Sequence, residues 1–197
     1  MAAKKTAGLD RRKVVAMLLA DRGDALVVTG LGSPTYDTFA AGDHDLNFYL
    51  WGAMGGAVMA GLGLALAQPK RRVLVITGDG EMLMGLGSLA TVSCEAPKNL
   101  AIAVIDNGHY GETGMQRAHT ARGVDLAGIA RAAGFKSAST ISSMTAVQHW
   151  LPAWHQQAGP VFADIKVSAA PAPMRLPLRD GTAIKYRFRS TLLGPGA

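Results

Sequence analysis

The chain has 197 residues, of which 49% are hydrophobic, and a formal net charge of +6. This length and composition predict one globular domain that buries a core without disulfide or metal crosslinks. The lone cysteine, Cys94, excludes a disulfide framework and a multi-cysteine iron–sulfur site. No apolar run approaches the ~20 residues of a membrane span. The start, M-A-A-K-K-T, lacks the apolar core of a signal peptide, so we expect a soluble cytoplasmic protein with no membrane partner.

The positive charge is concentrated towards the C-terminus. Residues 166–197 contain six basic residues and one acidic residue. These charges are spaced through proline-rich and apolar sequence, whereas nucleic-acid-binding tails usually run basic residues together or interleave them with aromatic residues in a recognisable module. We therefore expect no nucleic acid partner. The charge is suited to a small anionic ligand, or only to solubility.

Helix-like and strand-like segments alternate along the chain. Residues 10–22 carry apolar side chains at helical spacing, and residues 25–29 form a short apolar run that predicts a strand. A polar loop is predicted over 42–47. Residues 57–68 are predicted as a helix, although their glycines disfavour a helix by up to ~1 kcal/mol each, which points to close packing. The remaining predicted elements are strands at 73–77, 100–105, 135–137 and 161–167 and helices at 82–95, 124–133 and 145–157.

This alternation predicts a doubly wound α/β fold, with a mostly parallel sheet and helices on both faces. The apolar runs at 73–77 and 100–105 are short enough to be fully buried strands, and a helix of suitable length separates them. They are therefore predicted to be parallel neighbours. The turns after both strands, G-D-G at 78–80 and D-N-G at 106–108, would then lie at the sheet edge where ligands bind.

The residues in these two turns suit a hard cation beside a phosphate group. Asp79 offers a carboxylate oxygen and Asn107 an amide oxygen, which are typical magnesium ligands. Gly78 and Gly80 allow close backbone approach, and Glu81 opens a helix whose free N–H groups attract anions. Magnesium with a diphosphate fits this set. A tight strand-to-helix turn in which Asp79 serves only as a cap is the alternative.

A second glycine-rich turn follows the strand at 25–29. Its sequence is G-L-G-S-P, from Gly30 to Pro34, and Ser33-Pro34 is a typical helix start. A glycine turn before a helix N-terminus is suited to a phosphate group. An ordinary connection between strand and helix explains the same residues.

The combined motif resembles the signature of the thiamine diphosphate enzymes. That signature is G-D-G, some twenty-five residues, and N-N, whereas this chain has G-D-G, twenty-five residues and D-N, with Asp106 in place of the first asparagine. The resemblance implies that Mg²⁺ is held by Asp79, Asn107 and the backbone oxygen of His109. It also implies that the loop with Gly30 and Ser33 contacts the diphosphate.

A further segment, G-A-M-G-G at 52–56, resembles the part of these enzymes that holds the aminopyrimidine ring. The resemblance implies that the Gly52 carbonyl accepts a hydrogen bond from the ring and that Met54 supports the bent cofactor. Ordinary core packing is the alternative for Met54. In all, the predicted cofactor-binding residues are Gly30, Ser33, Gly52, Met54, Gly78, Asp79, Gly80, Glu81, Asn107, His109 and Tyr110.

Polar and glycine-rich sequence from Gly108 to Thr120 suits a loop over a site. His109, Tyr110, Glu112 and His119 are its candidates for proton transfer. A histidine in a loop is often merely solvated, but the position next to the predicted magnesium site makes His109 the candidate catalytic residue of this chain.

The resemblance extends over residues 20–167 and is to the cofactor-diphosphate domain, or β subunit, of thiamine diphosphate-dependent decarboxylases acting on sulfopyruvate- or phosphonopyruvate-like 2-oxo acids. In this family a glutamate from a separate pyrimidine-binding domain activates the cofactor. Glu81, Glu95 and Glu112 are the only glutamates, and none opens a second domain. A separate α subunit is therefore implied, in an α2β2 or larger assembly, with a small anionic 2-oxo acid as substrate. The alternatives are an acetolactate-synthase-like carboligase subunit and a non-catalytic phosphate- or nucleotide-binding α/β module.

Two segments are thus predicted, a cofactor-binding domain at 1–167 and a basic C-terminal tail at 168–197. In the tail, Ile184, Tyr186 and Phe188 alternate with basic residues, which predicts an extended segment docked by one face. We expect this segment to contact the partner subunit or to cover the site mouth, where it helps to hold an anionic substrate. A disordered, solubilising tail is the alternative.

Overall fold

The computed structural model describes residues 8–194 and 196. Residues 1–7, which contain the start used above to exclude a signal peptide, and residues 195 and 197 of the predicted tail lie outside this description. Over the described part, the helices are α1 (Arg11–Leu19), α2 (Ser33–Ala40), α3 (Ala57–Ala67), α4 (Asp79–Met84), α5 (Ser88–Glu95), α6 (Leu126–Ala132), α7 (Met144–His155) and α8 (Gly181–Leu193). The strands are β1 (Leu26–Thr29), β2 (Asn47–Tyr49), β3 (Val73–Gly78), β4 (Leu100–Asp106), β5 (His109–Tyr110), β6 (Gln116–Arg117), β7 (Ser137–Ile141) and β8 (Val161–Lys166).

Six of the strands form one parallel sheet in the order β2-β1-β3-β4-β8-β7. From β1 the chain moves outward to β2 and then returns through α3 to β3, on the other side of β1. The strand order therefore reverses between β1 and β3. In open α/β sheets this switch point, at the carboxyl ends of the strands, is where ligands bind. The predicted doubly wound α/β fold is confirmed.

Alternate residues of the central strands face opposite sides of the sheet and enter two separate cores. Val73, Val75, Leu100 and Ile102 belong to one apolar cluster, shared with α3, α5, α6 and α8. Leu74, Ile76, Ala101 and Ala103 belong to the other, shared with α1 and α7. Because both faces are covered, these strands read as continuous apolar runs in the sequence. None of the described helices combines the length and the apolar character needed to cross a bilayer.

The single helix predicted at 82–95 is wrong, because the structure has α4 and α5 with a break at residues 85–87. Gly85 packs against the backbone of Gly55, and a Cβ atom at Gly85 would lie 2.3 Å from the Gly55 carbonyl oxygen. The close approach of these two backbones interrupts the helix between α4 and α5. One strand differs in extent, since β7 covers Ser137–Ile141 rather than 135–137. The edge strand β2 was not predicted, and it begins at Asn47, the last residue of the predicted loop.

The extended conformation predicted for Ile184, Tyr186 and Phe188 is also wrong. These residues lie in α8, whose N-cap Asp180 accepts hydrogen bonds from the backbone N–H groups of Thr182 and Ala183. Ile184 and Phe188 are buried, whereas Tyr186 is 58% exposed. A spacing of four, which places both buried residues on one helix face, outweighed the spacing of two read from the sequence.

Helix α8 covers the edge strand of the sheet. The Phe188 ring packs edge-to-face on Phe48 of β2, with ring centroids 5.7 Å apart, and Arg187 pairs with Asp43 at 2.7 Å. An uncovered edge strand would be open to pairing with another chain. The last helix therefore packs on the domain predicted at residues 1–167.

We expect Phe188→Ala to destabilise the chain by about 3 kcal/mol, because it removes a buried ring that lies 7% exposed in the core. Tyr186→Ala, on the exposed face of the same helix, is the matched control and should change stability by less than about 0.5 kcal/mol. Urea unfolding of both variants measures the difference. Equal effects would contradict the docking of α8 on β2.

Candidate active site

A cavity opens where β1, β3 and β4 end. Nine of the eleven predicted cofactor-binding residues line it, namely Ser33, Met54, Gly78, Asp79, Gly80, Glu81, Asn107, His109 and Tyr110. Gly30 and Gly52 are not among its lining residues. Leu31, Gly32, Pro34, Ile105, Gly111, Glu112 and Thr113 complete the lining. The parallel sheet thus joins three turns that are far apart in the sequence.

Asp79 follows β3 directly and is only 2% exposed. Its carboxylate accepts a hydrogen bond from the Thr120 hydroxyl at 2.9 Å, and the same hydroxyl lies 2.9 Å from the carboxylate of Asp106. Burial, followed by the nearby Asp106 charge, raises the pKa of Asp79 to about 6. The site therefore holds a carboxylate whose surroundings disfavour its charge.

The turn after β4 is shaped by two successive side-chain contacts. Asp106 accepts a hydrogen bond from the backbone N–H of Gly108 at 2.8 Å, and Asn107 accepts one from the N–H of His109 at 2.8 Å. Gly108 has a φ of +69°, and a Cβ there would lie 3.0 Å from the Cβ of Ala121. Glycine is favoured at this position because the backbone is left-handed and the space is small.

The Tyr110 ring is fixed against the G-D-G turn. A Cβ atom at Gly80 would lie 2.5 Å from Cε1 of Tyr110, so the second glycine of the motif leaves the space that the ring fills. The Tyr110 hydroxyl lies 3.4 Å from Nδ1 of His119. The turns after β3 and β4 are therefore packed directly on each other.

Glu81 links the turn after β3 to the loop after β1 and to the start of α3. Its carboxylate accepts hydrogen bonds from the Thr77 hydroxyl at 2.9 Å and from the backbone N–H of Ala57 at 3.3 Å. It also fills the space beside Gly30, where a Cβ atom would lie 1.5 Å from Oε2. Burial raises the pKa of Glu81. The carboxylate is thus used to hold the loops around the site, and the predicted contact of Glu81 with a cofactor stays a prediction.

A second cavity adjoins the first on the side of α1 and α2. Ser33, Asn107, Gly111 and Glu112 line both cavities. Glu112 accepts a hydrogen bond from the Tyr36 hydroxyl at 3.1 Å. Arg11, Arg12 and residues 169–174 line the second cavity, and Arg12 donates to the Pro173 carbonyl oxygen. The first part of the predicted tail therefore runs along the site.

The site residues suit a divalent cation. A hydroxyl carries one proton, so Thr120 can donate to only one of Asp79 and Asp106 at a time. The remaining repulsion between the buried carboxylates would be relieved by a cation at Asp79. No cluster of three His, Cys, Asp or Glu side chains suited to a metal occurs among residues 8–194. A cation here would take further ligands from amide and carbonyl oxygens and from a phosphate, as magnesium does.

Comparison with known proteins identifies the family and the fold of this chain. Residues 32–165 match the sequence profile of the family described as thiamine pyrophosphate enzyme, C-terminal TPP binding domain. The chain belongs to this family. Benzoylformate decarboxylase from Polynucleobacter necessarius superposes with a TM-score of 0.73 at 17% identity, over 88% of this chain and 36% of that one, which shows a shared fold.

Curated relatives of this thiamine pyrophosphate-binding domain carry decarboxylase names. The sulfopyruvate decarboxylase subunit beta of Methanothermobacter thermautotrophicus is 34% identical over 94% of this chain and 97% of its own length. The phosphonopyruvate decarboxylase of Streptomyces viridochromogenes is 36% identical over 88% of this chain and 44% of its own length. This chain covers only 35% and 62% of the length of two other sulfopyruvate decarboxylase sequences, those of Methanosarcina acetivorans and Methanocaldococcus jannaschii.

The structure adds two residues to the site that the sequence did not single out. Thr120 bonds to Asp79, but it lies 41 positions further along the chain, and no motif marks it. Lys166 pairs with Asp106 and, at 2.7 Å, with Asp164. In the sequence, Lys166 stands out only as one of the six basic residues of the C-terminal region. Aligning the ends of β4 and β8 would have placed Lys166 opposite Asp106.

We expect Asp79→Asn to stabilise the ligand-free thiamine pyrophosphate-binding domain at neutral pH. Above about pH 6 the carboxyl is charged in both states, and burial penalises the folded one. Below about pH 4 it is protonated in both states, so the penalty disappears. The gain should be on the order of 2 kcal/mol at pH 7.5 and fall towards zero near pH 4.

Thermal unfolding at several pH values measures this gain, with Asp21→Asn at an exposed aspartate as the control. A gain from Asp79→Asn that is the same at both pH values would contradict the raised pKa. A loss of stability at pH 7.5 would do so as well.

Proposed function

We propose that this chain is the diphosphate- and magnesium-binding subunit of a thiamine diphosphate-dependent decarboxylase. The reaction removes carbon dioxide from a 2-oxo acid of the sulfopyruvate or phosphonopyruvate type and yields an aldehyde. One observation carries the proposal, the meeting of Asp79, Asn107 and His109 in one cavity at the switch point of the sheet. The decarboxylase names of the relatives support it, most of all that of the archaeal beta subunit, which matches over 97% of its length.

The residues of the cavity have distinct roles in this proposal. Asp79, Asn107 and the His109 backbone oxygen would hold Mg²⁺, which would neutralise the charge of the diphosphate. The loop after β1 receives the diphosphate oxygens, since Gly32, with a φ of +76°, turns the chain into α2. When bound, thiamine diphosphate supplies the electron sink for the loss of carbon dioxide.

The aminopyrimidine side of the cofactor would meet Gly52 and Met54. Gly52 has a φ of +76°, and nothing lies within 4 Å of a Cβ atom built there, so its backbone is accessible. Met54 lines the cavity while it is 38% exposed. A methionine that keeps this much exposed surface is suited to supporting a ligand rather than to filling the core.

His109 is the proposed proton carrier of this chain. Its Nδ1 lies 2.8 Å from the backbone oxygen of Asn107. In the neutral ring, this contact places the proton on Nδ1 and leaves Nε2 as the acceptor. The same turn that presents the metal ligands would therefore orient the imidazole towards the reacting groups.

The proposal includes a separate subunit, which the name subunit beta of two relatives supports. None of the three glutamates of this chain lies free at the cavity to activate the cofactor. The Glu81 carboxylate holds the loops below the cavity, and Glu112 bonds to Tyr36. Glu95 lies exposed at the end of α5. The activating carboxylate would come from a pyrimidine-binding α subunit, in an α2β2 or larger assembly.

An uncharged surface next to the cavity supports the existence of that partner. No charged residue occurs between Asp45 and Lys70, and α3 is apolar on every side. A helix of this kind is normally buried all round, yet Met59 is 42% and Leu66 is 50% exposed. Met84, which precedes the Gly55–Gly85 contact, is 63% exposed. We propose that the α subunit covers this surface, which includes Met54 at the cavity mouth.

An anionic substrate is consistent with the second cavity. Arg11 and Arg12 both contact the carboxylate of Asp37, at 2.8 and 3.2 Å, so two positive charges face one negative charge. The carboxylate of Glu112 also lines this cavity, so its two arginines are balanced by two carboxylates. An anionic substrate would therefore be held by hydrogen bonds from the guanidinium groups rather than by a net positive charge.

Reconstitution tests the proposal. We expect the isolated chain to release no carbon dioxide from sulfopyruvate or phosphonopyruvate, and to do so after co-expression with an α subunit. Leu66→Glu should abolish co-purification of the chain with the α subunit, because it places a charge in the apolar surface. Tyr186→Glu, on the exposed face of α8, should leave co-purification unchanged. Carbon dioxide release and aldehyde formation are the measurements.

Activity of the isolated chain would contradict the two-subunit proposal. Formation of a coupled hydroxy-keto product instead of an aldehyde would identify a carboligase. A pure complex that retains no thiamine diphosphate and shows no turnover would favour a non-catalytic phosphate-binding module and overturn the proposed function.

A further inference from the structure

Three carboxylates and one ammonium group lie together behind the cavity. Asp79, Asp106 and Asp164 are 2%, 3% and 0% exposed, and Lys166 is the partner in the ion pairs of both Asp106 and Asp164 over residues 8–194. Burial of several like charges is costly unless each is paired. Burial of the charged carboxylates of Asp106 and Asp164 therefore depends on the position of Lys166.

The parallel sheet sets that position. Asp106 ends β4 and lies opposite Lys166, the last residue of β8. Asp164 is two residues earlier on β8, so its side chain leaves the same face of the sheet as Lys166. Both oxygens of Asp164 lack a well-aligned hydrogen bond, which makes the contact with the ammonium its main compensation.

Asp106 in turn holds the metal-binding turn. One of its oxygens accepts from Gly108 N–H and lies beside the Thr120 hydroxyl, which also contacts Asp79. The other oxygen contacts Lys166. A chain of contacts thus runs from Lys166 through Asp106 to both strands that carry the proposed magnesium ligands.

This arrangement accounts for the aspartate at the position where the family signature has asparagine. An asparagine oxygen would accept the same two hydrogen bonds without a charge. An aspartate adds a buried negative charge close to Asp79, and this charge requires a cation on the side away from the cavity. Lys166, whose side chain is 36% exposed, supplies that cation and keeps contact with water.

We propose that Lys166 is a positioning residue for the magnesium site, which holds Asp106 and thereby the turn that carries Asn107 and the His109 carbonyl. The inference rests on the proposed function and deepens it. The residue acts through Asp106, since the contacts of its ammonium group are with Asp106 and Asp164. Outer partners of this kind tune metal affinity because they fix the orientation of the ligands.

The test is to titrate Mg²⁺ into the full chain in the presence of thiamine diphosphate and to measure the Mg²⁺ affinity by calorimetry. We expect Lys166→Met to weaken Mg²⁺ binding by about 10- to 100-fold. Adding Asp106→Asn to Lys166→Met should restore binding to within about threefold of the wild type, because the amide keeps the bonds to Gly108 and Thr120 and carries no charge. Restoration by the second substitution would show that Lys166 acts through Asp106, and the melting temperatures of the single and double variants, measured alongside, separate positioning from a general loss of stability.

Two further variants serve as matched controls. Asp164→Asn leaves the pair of Lys166 with Asp106 intact, so it should not weaken Mg²⁺ binding. Lys136→Met, at an exposed lysine before β7, should change neither binding nor melting temperature. Without ligands, Lys166→Met should lower the melting temperature by roughly 10 °C, because two buried carboxylates lose their cation.

Each result decides between the proposals. If Lys166→Met binds Mg²⁺ as tightly as the wild type, or more tightly as the loss of a nearby positive charge alone would give, the assignment of Lys166 is overturned and the proposed function stands. The same holds if Asp106→Asn restores nothing. If Lys166→Met melts at a lower temperature with unchanged Mg²⁺ affinity, Lys166 is only a stabilising residue. If the wild type, alone and with its partner, binds no thiamine diphosphate, the proposed function itself is overturned.

Discussion

The parallel pairing of β1, β3 and β4 is the constraint on which the site depends. Their register aligns Thr29 with Ile76 and Gly78 with Ile105, so the three strands end within about three residues of one another and their turns share one edge of the sheet. The switch in strand order between β1 and β3 leaves a crevice there. Because both faces of the sheet are buried in apolar cores, a shift of one strand by one residue along its neighbour would move its side chains into the opposite core. Core packing therefore fixes the geometry of the polar turns.

Short-range patterns in the sequence were enough to predict β1, β3, β4 and β8 and the turns at their ends. Apolar runs that end in polar, glycine-containing turns predict β3 and β4, and these turns place Asp79 and Asn107 at the same edge of the sheet. Features that depend on tertiary contacts were not predictable in this way. The break before α5 requires the backbone contact of Gly85 with Gly55, and the pairing of Lys166 requires the register of β4 with β8.

The C-terminal region shows how weak a short pattern is when two periodicities compete. Ile184, Tyr186 and Phe188 have the spacing of two that fits one face of a strand. Ile184 and Phe188 also have the spacing of four that fits one face of a helix. The Asp180 cap and the apolar edge at Phe48 decide in favour of a helix. The same helix protects the edge strand, so the domain extends beyond residue 167. The role of residues 168–180 beside the second cavity stays a prediction.

The central claim is that Asp79 and Asn107 bind a metal ion together with a diphosphate. Crystals of the chain grown with thiamine diphosphate and Mn²⁺ in place of Mg²⁺ test it directly, because manganese gives an anomalous signal. We predict one strong peak in contact with the Asp79 carboxylate, the Asn107 amide oxygen and the diphosphate. A peak elsewhere, or a diphosphate bound away from the turns after β1 and β3, would contradict the account.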